Sequence, residues 1–233
     1  MSTYVRPAVE SPVFYDAQGQ VIEYGSRWPD SPPVDTYSVV THPERFDPLR
    51  AVAEALIAHL QETFEVDIIE GPEAVEQMLR PREDAIRTVR IEPRDPSCAP
   101  VTIQIDSYPG VEVEAGLLER AWFPPCGCDA CDETWESAAE GLEQLVLAVV
   151  DGGFWEQPGP FGSSWVEIGH EHPEGRQSGS VDASQYPAAR LEALRDPRRP
   201  TSGRWASWPR RRVSPASSDV EPRPGEASVA SPR

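Results

Sequence analysis

Val101-Thr102-Ile103-Gln104-Ile105-Asp106-Ser107-Tyr108-Pro109-Gly110-Val111-Glu112-Val113-Glu114-Ala115 alternates apolar and polar residues on either side of a Pro-Gly turn. Strict alternation sends every second side chain to one face. The stretch therefore predicts two strands of an antiparallel sheet with one face buried and one wet. Val89 and Ile91, alternating with Arg90 and Glu92, place a strand before it, across the turn Arg94-Asp95-Pro96-Ser97. Leu117 to Phe123 adds a fourth, ended by Pro124-Pro125.

Two helices flank these strands. The first starts at Asp47-Pro48, where Asp is expected to cap the free backbone N–H groups and Pro at the first position already has helical φ. Leu49, Val52, Ala53, Leu56, Ile57, Leu60 and Phe64 then form one amphipathic stripe. The second carries Trp135, Ala138, Leu142, Leu145, Val146 and Val149. Asp132, Glu133 and Glu136 are read into its first turn, where the dipole favours anions, and Gly152-Gly153 ends it. A shorter helix fits Glu73 to Leu79, stopped by Pro81. Both long helices and the sheet have a single apolar face, so the economical packing is two layers with the helices on one side. The fold class is α+β, with an antiparallel sheet of about four strands and two main helices packed on one face.

Farther out the signals thin. Residues 1–12 read as disordered. Val13-Phe14-Tyr15 and Gln20-Val21-Ile22-Glu23-Tyr24, separated by Asp16-Ala17-Gln18-Gly19, read as a small hairpin. Trp165 to Ile168 fits a strand and Ala188 to Leu194 a short helix. Trp205 and Trp208 are too apolar to leave wet and are expected to dock on the body. Residues 213–233 are Ser, Pro, Ala, Glu and Arg without periodicity, a disordered tail. Residues 13–212 are thus expected to form one domain.

The whole chain has 233 residues with 26 prolines, and 39% are apolar. That suffices for one core of roughly 130–170 residues. The sequence contains no lysine and no asparagine. This closes Schiff-base and P-loop lysine chemistry, N-glycosylation and a Cys-His-Asn triad. No apolar run approaches the roughly 18 residues needed to span a bilayer, and the start lacks a secretion signal, so a cytoplasmic protein is expected. Net charge is −18. Residues 1–171 sum to −22 and residues 172–233 to +4. Such a body repels nucleic-acid phosphates and anionic lipid, which excludes both as partners. It suits a basic protein partner, although solubility alone also accounts for it.

The chemistry-bearing feature is Cys126-Gly127-Cys128-Asp129-Ala130-Cys131-Asp132-Glu133. Three thiols at C-x-C-x-x-C spacing can converge on one tetrahedral ion, most simply a structural zinc, and a helix start favours thiolates. Cys126, Cys128 and Cys131 are the candidate ligands. The fourth is open among Cys98, Asp129, Asp132, His170 and His172. Two further readings stand beside the metal: a thiol-redox pair at Cys128 and Cys131, and ordinary thiols packed against Trp135. His170-Glu171-His172 shares one face if it is a strand. Glu112 and Glu114 read as a solvated strand face rather than an acid/base pair. Arg198-Arg199 and Arg210-Arg211-Arg212, around Trp205 and Trp208, are expected to contact the acidic surface intramolecularly.

Several segments together carry a resemblance: Val21 to Trp28, Tyr37 to Phe46, Leu79-Arg80-Pro81-Arg82, Cys126 to Glu133, and Trp205-Ala206-Ser207-Trp208-Pro209-Arg210. They resemble an actinobacterial family known only as a domain of unknown function, over about residues 13–212. The resemblance implies one domain that includes the Trp-rich end, and it supplies no activity. The expectation is a non-enzymatic binding or interaction module with a zinc-stapled cysteine loop. The alternatives are a thiol-redox or metal-dependent enzyme using the same cysteines, and an acidic, immunity-type inhibitor of a basic protein.

Overall fold

The computed structural model describes residues 3–82, 85–160, 163–196, 200 and 202–212. Among these, helices α1 (Pro48–Thr63), α2 (Pro72–Glu76), α3 (Trp135–Val150) and α4 (Ala188–Leu194) accompany two antiparallel sheets. The main sheet contains β1 (Val66–Glu70), β2 (Ala85–Pro93), β3 (Val101–Asp106), β4 (Val111–Ala115) and β5 (Glu119–Phe123), side by side in chain order. A second sheet contains β6 (Phe154–Pro158), β7 (Trp165–His172) and β8 (Gly175–Asp182). The class is α+β as read. The expected four strands are present, joined by β1 at one edge and by the three-stranded sheet.

The apolar face of the main sheet makes the core. Val89, Ile91, Val101, Ile103 and Val113 are fully buried beneath Leu49, Val52, Leu56 and Leu60 of α1 and Leu142, Val146 and Val149 of α3. Each such side chain contributes about 1.5–3 kcal/mol of transfer free energy. The two helices therefore lie on the same side of this sheet, and α3 also packs on β7.

Their starts differ from each other. Asp47 is already helical (φ −50°, ψ −35°) and makes no capping hydrogen bond, because the 3-10 turn Pro43–Phe46 leads the chain directly into α1. Thr134 is extended, and its hydroxyl accepts from the Ser137 N–H at 3.1 Å. Asp132 and Glu133 thus precede α3, leaving Glu136 in its first turn. Thr134→Ala is expected to cost about 1 kcal/mol and Asp47→Ala close to nothing, read from urea midpoints. Equal losses would contradict this capping assignment. At the other end of α3, Gly152 (φ +79°) donates to Val149 O and Gly153 to Ala148 O at 2.8 Å, closing a Schellman motif. A Cβ on Gly153 would stand 2.3 Å from Glu171 O, so only glycine lets β7 pass here.

Four readings need correction. The second face of the main sheet is not wet. Thr88, Thr102, Gln104, Glu112 and Glu114 are all buried: the first four pair with polar side chains of the same sheet, and the chain after α2 reaches over Glu114, both of whose oxygens accept from the Leu79 N–H at 2.9 Å. Residues 3–12 are not free of structure. Tyr4 Oη donates to Glu143 at 2.6 Å, Arg6 pairs with the same carboxylate, and Trp135 Nε1 donates to Ser11. These long-range partners leave no mark on local composition. The 13–24 hairpin forms its turn, with Gly19 N donating to Asp16 O, but only a single bridge, Tyr15 to Val21. The helix after β1 begins at Pro72 and ends at Glu76.

The Trp-rich end docks as expected. Trp208 is buried and its Nε1 donates to Ala99 O at 3.0 Å. Residues 203–212 run across both sheets, with Trp205 N donating to Phe154 O, Ala206 N to Ser97 O and Arg211 N to Thr63 O. Arg210 packs over the Phe64 ring. Arg198, Arg199 and the 213–233 tail lie outside the described residues.

Candidate metal centre

The cysteine loop joins β5 to the start of α3. Cys128 Sγ lies 3.4 Å from both Cys126 Sγ and Cys131 Sγ, and all three sulfurs lie within 4.8 Å of one another. Cys128 is buried, Cys126 half-buried and Cys131 exposed. This group could hold a metal ion. Soft, converging sulfur donors suit thiophilic ions. Sulfurs bound tetrahedrally at about 2.3 Å from zinc stand about 3.8 Å apart, within a few tenths of an ångström of these contacts, whereas a disulfide requires about 2.0 Å.

The loop is held from outside. Asp129 N donates to Val39 O and Ala130 N to Thr36 O. Arg45, nearly fully buried, donates to Gly127 O at 2.8 Å. Arg27 donates to the Asp132 carboxylate at 2.6 Å and to Asp129 O. The two guanidiniums stand 4.5 Å from the Tyr24 ring centroid. Asp132 sits at φ +52°, a region aspartate tolerates. Burial opposes the Cys128 thiolate, but the Cys131 N–H, the neighbouring thiols and the Ser38 N–H outweigh it and hold this group down at about 7. Cys131 is pushed up to about 12 by its contacts with Cys126 and Cys128 and by burial.

None of the five proposed fourth ligands joins the sulfurs among the described residues. The Asp129 carboxylate accepts from the Thr41 hydroxyl at 2.9 Å and Asp132 from Arg27. Cys98 Sγ donates to Ser207 O, and burial followed by Asp95 raises its thiol. His170 and His172 share one face of β7 as their spacing implies, with ring centroids 6.2 Å apart. Burial and then His172 lower the His170 imidazole.

Sequence reasoning missed a second polar centre. Glu156 on β6 is fully buried, and its carboxylate accepts from the N–H groups of Leu117, Leu118 and Glu119 and from Trp205 Nε1 at 2.9 Å. The signal available was Gly116 at the β4–β5 turn: its φ is +60°, and a Cβ there would meet Glu156 Oε2 at 2.5 Å. Beside it, burial and then Glu156 push Glu119 up to about 7. Between the ordinary carboxylate value of 4.5 and about 7, the native state therefore binds a proton that the unfolded state lacks. The contribution of Glu119 to stability falls as pH rises through this window and is constant outside it. Glu119→Gln is expected to remove that slope and to be more stable than the parent at pH 8 by about 2 kcal/mol, after discounting for partial exposure. Parallel urea curves at pH 5 and pH 8 measure it. An unchanged slope would refute the assignment.

No helix among the described residues is long and apolar enough to cross a membrane. Comparison with curated proteins and with solved structures gives no match. A family model matches residues 10–212, which takes in the sulfur loop, both sheets and the docked tryptophans. The chain belongs to that family, described as a family of unknown function, DUF6226.

Proposed function

We propose that the protein is a binding module whose loop is stapled by one zinc ion on Cys126, Cys128 and Cys131, and whose partner is a protein with a basic face. The observation that carries this is the convergence of three thiols within 4.8 Å of one another on a loop already fixed from outside. A bound zinc ion would neutralise the thiolates and hold the loop against α3. Arg27 and Arg45 brace the loop through Asp132, Asp129 and Gly127, so the three sulfurs are presented together. With no fourth side chain at hand among the described residues, water or a donor from the partner completes the shell. The basic partner rests on charge, with −22 over residues 1–171.

Elemental analysis of the purified chain is expected to give about one zinc per chain, with the three loop thiols unreactive until a chelator is added. A metal-free, fully folded protein would end the staple. Capture of a basic partner should weaken as salt rises, and retention unchanged by salt would count against charge-driven recruitment. One observation favours a second reading, a metal-dependent enzyme. A cavity of about 210 Å³ lined by Asp106 and Tyr108 reaches Cys126 of the triad, and a three-donor ion leaves a position open to substrate. In that case removing Cys126 would abolish turnover with folding intact.

A further inference from the structure

A second opening lies away from the sulfurs, between the two sheets. It is a cavity of about 460 Å³, within the usual range for small-molecule sites. β5 forms one wall, β7 and β8 the other, and the Leu79–Arg80 and Tyr186–Pro187 segments form the rim.

We propose that this cavity binds a small organic monoanion: a single carboxylate carried on an apolar body. Arg80 provides the charge. Its side chain makes no hydrogen bond or ion pair among the described residues, although it lines the cavity. The other guanidinium there, Arg120, is committed: it contacts both Glu112 oxygens and stacks 4.3 Å from the Trp122 ring centroid. One cation without a side-chain partner among the described residues matches one negative charge, provided that the lining Glu119 carries its proton. A phosphate dianion would bring a second charge toward Glu119 and the buried Glu156 behind it, in a protein of net charge −18. The body of the ligand meets Leu118, Ile168 and Val181, while Gln177, Ser178 and Gln185 offer hydrogen bonds that fix orientation. Burial and then His172 hold His170 towards its neutral form, so it adds no second positive charge that would favour a dianion. The site shares no residue with the cysteine loop, so it stands or falls independently of the metal.

Isothermal titration of the full chain with 3-phenylpropanoate, its amide and 3-phenylpropylamine tests this. The acid should bind, the amide at least tenfold more weakly, and the amine not measurably. Arg80→Gln, an exposed position, should weaken the acid at least tenfold and leave the amide unchanged. Ser178→Trp, also exposed, should fill the cavity and abolish binding of the acid while the urea midpoint holds. The proposal is overturned if the acid does not bind, if the amide binds as tightly, or if neither variant alters the acid.

Discussion

Glu156→Ala is expected to lower the stability of the folded chain by about 4 kcal/mol. The carboxylate has no contact with solvent and accepts from three consecutive backbone N–H groups and an indole N–H. Truncation leaves these donors buried without an acceptor, and each such loss costs about 1–3 kcal/mol before relaxation. The shape of the β4–β5 turn cannot compensate, since Gly116 is already pressed against the missing group. Glu156→Gln should lose about half as much, keeping one acceptor oxygen but turning an NH2 towards other donors. Urea denaturation with an unchanged m-value is the measurement. A loss under 1 kcal/mol for the alanine variant would mean that water reaches the turn and that Glu156 does not hold the sheets together.

Cys128→Ser should reduce bound zinc below a tenth of an equivalent and lower the melting temperature by about 10 °C or more. Cys128 is the central sulfur, in contact with both others, and the only buried member of the three. Metal binding to a site absent from the unfolded chain is folding free energy, and for a domain of this size each kcal/mol moves the melting point by about 2–4 °C. Chelating the parent protein should reproduce the same shift, while chelator added to the variant should do nothing further. If the variant and parent melt together in the presence of zinc, the ion does not staple this loop.

Much of this architecture is written in local pattern. The alternation around Tyr108-Pro109-Gly110 located β3 and β4, and the helical stripes located α1 and α3, because a core face imposes its period directly on the residues that fill it. β8 escaped because it is almost wholly exposed and reads Gly-Arg-Gln-Ser-Gly-Ser, with no buried face to impose a period. The polar side of β3 and β4 was misjudged for a related reason. Alternation says which side chains share a face, and it carries no information about a distant segment such as Leu79 lying over that face. The sulfur triad was legible because its members fall within six consecutive residues. Arg27, Arg45 and Glu156 were not, since the hydrogen-bond partners described above lie 37 to 105 residues away.

The segment 203–212 has a temporal consequence. It contacts Phe154, Ser97 and Thr63, so its pairings span up to 148 positions along the chain. Contacts so remote in sequence close late, after the costly loops between them have been ordered. A nascent polypeptide halted before Gly203 would hold helices and a main sheet but lack the clasp over Ala99. Residues 203–212 thus complete the fold only once they are present, and a chain cut before them is expected to leave the Ala99 side uncovered.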